Sequence, residues 1–328
     1  MLEVLPVIAP LFVLLGVGIV AGFSKRFQSA QAGLNAFVFY FSLPAYIFVA
    51  VAEAPMKDGL PLGYVVLSIG ATALVYGVVF VATVVQRKLS PSRERKTLPG
   101  PFAIAATYGN VGYLGVPIVM SVYGQDAALG AALGQLFHNV LFMVGYPLLK
   151  SFTGAKGAGH ERSWKSICEM LWRVTKKSVL LNPIVLSVAA GLIVGMTGMR
   201  IPEVLDVSIG MFANAAVPAA MFAVGLTVKP AFEGVASGGV PVGSVIVASA
   251  IKLLGLPLAT LGLALLFGGD LAPLWIAIAV VLGAMPVSST ASIVVFEYDG
   301  DTRLVAAVTL VTSVVAVLTI PITIAIAP

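Results

Sequence analysis

Charge is scarce in this sequence. Asp, Glu, Lys and Arg make up 10% of its 328 residues, and 59% are hydrophobic. Soluble domains carry about 25% charged residues, and the mean hydropathy here is +1.04, so the composition is that of an integral membrane protein. The single cysteine, Cys168, rules out an internal disulfide and says nothing of redox compartment. There are two histidines, His138 and His160. No Gly-x-Ser-x-Gly, His-Glu-x-x-His or Gly-x-x-x-x-Gly-Lys-[Ser/Thr] stretch occurs, so an intramembrane enzyme would lack its nucleophile, base or metal set, and an ATP-driven pump its phosphate loop. The formal net charge of +5 does not point to nucleic acid, because the basic residues fall between apolar runs. No nucleic acid, cofactor or metal is expected. Met1-Leu2-Glu3 has no basic region before its apolar run and no small-residue cleavage site follows, so a retained first helix is expected rather than a signal peptide. No soluble domain is expected at either end, which speaks against a membrane sensor.

What the chain has in abundance is apolar length. A span needs about 20 mostly apolar residues. That ruler gives ten, at roughly 3–22, 30–52, 61–85, 98–121, 127–150, 178–196, 203–227, 240–267, 272–296 and 302–326. Short turns such as Ser24-Lys25-Arg26, Pro55–Gly59 and Gly268-Gly269-Asp270 separate them. Two connections are longer, 86–97 and 150–177, and part of the second, Trp164 to Val174, has the pattern of a short interfacial amphipathic helix. Loops after the odd-numbered spans hold 16 of the 19 Lys and Arg residues, and loops on the opposite side hold Lys57 and Arg200. The positive-inside rule then puts both termini outside and the central loop in the cytoplasm.

Two spans are interrupted. Span 4 contains Thr107-Tyr108-Gly109-Asn110-Val111-Gly112-Tyr113-Leu114-Gly115-Val116-Pro117, and span 9 contains Gly283-Ala284-Met285-Pro286-Val287-Ser288-Ser289-Thr290. Proline removes a donor and clashes with the preceding turn. An unpaired backbone group in lipid costs several kcal/mol, so such breaks survive where protein buries them or a watery cavity receives them. For one break alone, an ordinary kink between packed helices is an alternative.

The breaks also match each other. Pro10, Gly18 and Gly22 of span 1 recur as Pro183, Gly191 and Gly195 of span 6, and Leu43-Pro44-Ala45 with Phe48 recurs as Val217-Pro218-Ala219 with Phe222. Tyr123-Gly124-Gln125-Asp126 is answered by Tyr298-Asp299-Gly300-Asp301, and Pro147 by Pro321. Constant order and offset imply two repeats of five spans, residues 1–152 and 178–328, joined by a cytoplasmic linker at 153–177. Because five is odd, the second repeat enters the membrane from the opposite side, and matched broken spans in such a pair mark the binding site. The fold class expected is all-α integral membrane, ten transmembrane helices as two inverted five-helix repeats with helices 4 and 9 broken.

The span 4 run Asn110 to Pro117, Leu43-Pro44, Asn182-Pro183 and the Pro286 break resemble the auxin efflux carrier family, which includes plant auxin exporters and bacterial malonate or malate permeases. The resemblance covers nearly the whole chain. It implies a fold related to the bile-acid sodium symporters, in which helices 4 and 9 cross at mid-membrane. It further implies a scaffold and homodimer face from spans 1, 2, 6 and 7, and a transport domain from spans 3–5 and 8–10 that slides in an elevator-type cycle. The chain lacks the long central loop of the plant exporters, which favours a carrier of small organic anions in a bacterial inner membrane.

The residues fit an anion independently of that likeness. A helix broken at mid-membrane exposes N-terminal ends carrying partial positive charge and free amide donors. The candidate substrate-binding residues are therefore Asn110, Gly112, Gly115 and Pro117 in span 4 and Pro286, Ser288, Ser289 and Thr290 in span 9. Asn110 has two readings, direct contact with substrate or capping of the broken helix. The hydroxyls of span 9 also have a second reading, as bonds back to their own helix. Lys252 is the basic residue deep in a span, a counter-charge, a stand-in for a coupling cation or a neutraliser of a helix C-terminus. His138, with Asn139 beside it and Gln135 one turn earlier, is either a proton carrier or a histidine bonded within the bundle. No Asp or Glu lies mid-span, which disfavours a cation antiporter. A sodium- or proton-coupled symporter and a channel stand as the other readings.

Overall fold

The computed structural model describes residues 5–54, 61–89, 98–153, 180–236, 239–299 and 301–328, together with Cys168, Glu169, Trp172, Arg173, Thr175 and Lys176. The described residues are helical throughout, without a strand. In chain order the helices are α1 (Leu5–Ala21), α2 (Lys25–Ala52), α3 (Leu62–Leu89), α4 (Pro99–Thr107), α5 (Val111–Tyr123), α6 (Ala128–Met143) and α7 (Gly145–Thr153). There follow α8 (Pro183–Thr197), α9 (Glu203–Leu226), α10 (Val228–Ala236), α11 (Val242–Phe267), α12 (Pro273–Gly283), α13 (Ser289–Asp299) and α14 (Arg303–Ile326). Six helical stretches among them are long and apolar enough to cross a membrane, and α1, α5, α8 and α12 are shorter apolar helices. Large apolar side chains face outward along them, for example Val204, Leu265 and Phe267, each more than three-quarters exposed. A helix satisfies its own backbone polar groups, so it can present such a surface to hydrocarbon at no hydrogen-bonding cost. The protein is an integral membrane protein.

Several boundaries differ from those read off hydropathy. Lys25 and Arg26 open α2 rather than occupying a turn, so this helix starts five residues before the expected span. An amphipathic first turn lowers mean hydropathy without breaking hydrogen bonds, and a hydropathy ruler trims it. Most of the linker, including most of the expected Trp164–Val174 helix, lies outside the described residues, as does the Pro55–Gly59 turn.

Three prolines reshape their helices in one way. In α2, α5 and α11 the five residues Val38–Ser42, Val111–Gly115 and Ile251–Gly255 form a wide π turn, and Pro44, Pro117 and Pro257 each follow at the same register. In each case the amide just before the proline donates five residues back: Leu43 to Val38, Val116 to Val111, Leu256 to Ile251. The proline ring presses on the carbonyl one turn earlier, and the widened turn relieves that pressure without leaving the helix. Pro218, expected from the sequence pattern to correspond to Pro44, sits inside α9 with no such turn.

Helix pairs at one side of the molecule pack through glycine. A Cβ on Gly18 of α1 would overlap the Phe222 carbonyl oxygen of α9, and one on Gly225 of α9 would overlap the Leu15 carbonyl oxygen of α1. The same contact recurs between α8 and α2, where a Cβ on Gly191 would lie 2.9 Å from the Phe48 carbonyl oxygen and one on Gly195 3.0 Å from that of Ala52. Phe48 and Phe222 occupy matching places in the two halves of the sequence, as do Gly18 and Gly191. In lipid the attraction between helices comes from such backbone-to-backbone packing, because burying apolar area gains little there. Ile8, Leu43, Ile47, Ile184 and Met221 fill the interior behind these contacts. A second core, around Tyr108, Phe142, Tyr146, Val295 and Val305, packs α4, α6, α7, α13 and α14 together.

Candidate functional site

The helix breaks lie at Tyr108–Asn110, between α4 and α5, and at Ala284–Ser288, between α12 and α13. The first is seven residues ahead of Pro117, not at it, because the π turn of α5 absorbs that proline. Pro286, in contrast, lies inside the second break. The two breaks cross and are stapled to each other as a short antiparallel β-bridge, Gly109 opposite Val287. The Asn110 amide donates to the Pro286 carbonyl at 2.7 Å and the Ser288 amide to the Tyr108 carbonyl at 3.0 Å. The inner amides of the bridge turn the other way. Gly109 N–H donates to His138 Nε2 of α6 at 2.9 Å, and Val287 N–H donates to Thr312 Oγ1 of α14 at 3.0 Å. The exchange satisfies the backbone that the breaks would otherwise leave unpaired in a low-dielectric interior.

Four helix ends thus meet. The C-terminal end of α12 carries a partial negative charge, and Lys252 Nζ, fully buried, donates to its last carbonyl, Gly283 O, at 2.5 Å. Lys252 reaches this point from the π turn of α11 past Gly109, where a Cβ would stand 3.1 Å from its Cε and Nζ. Behind the crossing a polar cavity of about 20 Å³ is lined by Ser68, Thr72, His138, Thr260 and Gly283. That is room for about one water.

The N-terminal ends of α5 and α13 face the other way. The first amides of α5, at Val111, Gly112 and Tyr113, have no acceptor within the helix. Intrahelical bonding begins with Leu114 and Gly115, both to Asn110 O at 3.2 Å. The Asn110 side chain makes no capping bond, which decides against the capping role for it. At α13, Ser288 does cap: its hydroxyl accepts from Thr290 N–H at 3.2 Å.

These ends line a cavity of about 640 Å³, inside the range of small-molecule sites. Tyr108 to Tyr113, Gln135, Asn139, Ser288 and Thr290 border it at the crossing, with Phe39, Ile293 and Val294 along it. It extends to Pro147, Arg173, Glu297 and Tyr298, on the side that carries the central linker. A second cavity of about 180 Å³ shares Asn110, Tyr113 and Thr290 and adds Asn35, Thr227, Ser289, Thr309 and Ser313. Asn110 therefore stands between the two.

Of the residues singled out in the sequence, Asn110, Gly112, Asn139, Ser288 and Thr290 border the larger cavity and Ser289 the smaller. Gly115 lies against Leu282 and Met285, Pro117 is buried, and Pro286 contributes its carbonyl to the bridge. Lys252 and His138 stand behind the crossing, on backbone groups. Thr312 was missed, although its distance of 174 residues from His138 equals that between Phe48 and Phe222. Asn35, Thr227, Thr309 and Ser313 carried no signal, because isolated hydroxyls and amides in spans usually bond to their own helix. Among the described residues no group of three His, Cys, Asp or Glu could hold a metal ion.

Comparison with known proteins places the chain among membrane transporters. The family model described as "Membrane transport protein" matches residues 4–324. The "Putative malonate transporter" of Rhizobium meliloti (strain 1021) is 26% identical over 321 residues, 98% of this chain and 94% of that protein. The "Uncharacterized transporter YfdV" of Escherichia coli (strain K12) is 23% identical over 222 residues, 66% of each chain. An "Uncharacterized transporter" of Methanothermobacter thermautotrophicus is 22% identical over 290 residues, 88% of this chain and 86% of that one. The family and these relatives are named transporters, not enzymes.

Proposed function

Since the chain belongs to the membrane transport protein family, in line with its resemblance to the auxin efflux carriers, we propose that it is a secondary carrier of small organic anions. The observation that carries this reading is the stapled crossing, which turns the N-terminal ends of α5 and α13 toward one cavity. Unpaired amides and the positive ends of two helix dipoles attract a carboxylate without a buried arginine. Asn110, between the cavities, supplies a further amide, with Gly112, Ser288, Ser289 and Thr290 around it. Lys252, by covering the negative end of α12, keeps the local field favourable to an anion.

The carrier works as a ten-span inverted repeat with both termini outside and the linker in the cytoplasm of a bacterial inner membrane. Matched glycine contacts in α1–α9 and α2–α8, and matched bridge partners at His138 and Thr312, support the repeat. The glycine-packed helices form the scaffold and a homodimer face. Spans 3–5 and 8–10, joined through the crossing, slide against that scaffold and carry the site from one side of the membrane to the other. The larger cavity, open on the linker side, is the inward-facing site.

Counterflow in proteoliposomes tests the reading, with malonate, malate and indole-3-acetate, with and without sodium, at two pH values. Malonate is included because one relative is named for it. Saturable exchange is expected, and Asn110→Ala is expected to cut it in protein that folds normally. Dependence on sodium or pH would identify a coupled symporter, and independence a uniporter. Folded protein that exchanges no carboxylate would overturn the proposal.

A further inference from the structure

Gln135, on α6, is 3% exposed, and its Oε1 is buried with no hydrogen-bond partner. Buried amide oxygens are nearly always paired, and an exception asks for a reason. The surroundings supply one. Gln135 borders the larger cavity together with Asn110, Gly112 and Tyr113, at the open N-terminal end of α5. Its amide group packs over Gly112, so closely that a Cβ there would stand 2.5 Å from Nε2 and 3.1 Å from Cδ. Glycine at 112 is therefore what allows the Gln135 amide to lie over the first amides of the helix.

The polar groups gathered there are unequal in kind. The N–H groups of Gly112 and Tyr113 and the Asn110 and Gln135 amide nitrogens are donors, and a carboxylate can receive them. Gln135 Oε1 is an acceptor, and a simple carboxylate offers it nothing. An anion that brings a donor of its own beside the carboxylate completes the set.

We propose that Gln135 is a specificity-determining residue: a turn of its amide about the Cγ–Cδ bond brings Oε1, here enclosed by protein, to the cavity, where it accepts a hydrogen bond from a hydroxyl, N–H or protonated carboxyl of the substrate while the α5 amides hold the carboxylate. The inference rests on the anion-carrier reading and narrows the substrate to carboxylates with such a second group. A site built to bond a substrate hydroxyl discriminates against the analogue without it, because its own polar group is then left unpaired.

The test is inhibition of radiolabelled malate counterflow by matched unlabelled pairs, malate against succinate and lactate against propanoate, which differ by one hydroxyl. Wild-type protein is expected to prefer the hydroxy acid by about tenfold or more. Gln135→Leu should bring both ratios close to one. It should also leave the thermal midpoint unchanged or raised, since an unpaired buried polar atom has been removed. Gly112→Ala, which displaces the amide without deleting it, should lower the ratios in the same direction. Ratios that survive in both variants, a wild-type protein without preference, or a clear loss of thermal stability in Gln135→Leu would each overturn the assignment, the last by showing a structural strut. Absence of exchange with any carboxylate would instead sink the anion-carrier reading, on which this one depends.

Discussion

The two breaks solve one problem with different residues. In each, the bridging residue turns its amide toward a side chain on a following helix, which takes it as acceptor: an imidazole nitrogen at His138, a hydroxyl at Thr312. Beyond that the two part. The helix after the first break opens on a wide turn with its leading amides free, whereas Ser288 caps the helix after the second. A lysine covers the negative end of α12. Both breaks thus meet the backbone's hydrogen-bonding requirement while the side-chain chemistry around them differs. Free donors are concentrated at α5, which is why Asn110 and Gln135 carry more of the proposed recognition than the span 9 hydroxyls.

That comparison can be broken at several points. The largest effect on folding is expected where the halves pack most tightly: Gly18→Ala forces a methyl into the Phe222 carbonyl and should cost about 3 kcal/mol. Gly191→Ala, with slightly more room, should cost nearer 1 kcal/mol. Chemical unfolding of the two purified variants measures both, and equal losses would show the two interfaces to be equivalent. Next come His138→Leu and Thr312→Val, which each strand one bridge amide. Each should destabilise by about 1–3 kcal/mol. A silent Thr312→Val would mean that the second break does not need its partner. Lys252→Met should have the smallest effect on stability, within about 1 kcal/mol of wild type, because relief of the buried ammonium's dehydration offsets the bond that Gly283 O loses. Its transport should nevertheless fall sharply in the counterflow assay. A variant that transports normally would reduce Lys252 to a helix cap.

The membrane class, the positions of most helices and the places of both interruptions were legible in the sequence because each depends on local composition. Apolar length reports a helix in lipid, and proline with glycine reports a disturbed one. Pro117 misled by a few residues: it marks a widened turn, and the chain opens at Tyr108–Asn110 instead. Proline constrains the turn before it, but which peptide leaves the helix depends on which carbonyls find partners across the crossing. Lys252 was conspicuous as a charge in an apolar run, yet its acceptor, Gly283 O, comes from another helix.

By itself the sequence determined that the chain lives in a membrane and that two of its apolar stretches are interrupted, both consequences of residue type and spacing along one dimension. Only the tertiary structure decided which amides remain free, that Asn110 stands between two cavities without capping its helix, and that Gln135 keeps an unpaired oxygen over Gly112. Those outcomes depend on hydrogen-bond partners brought from distant helices, and no local pattern encodes whether a donor has already been satisfied.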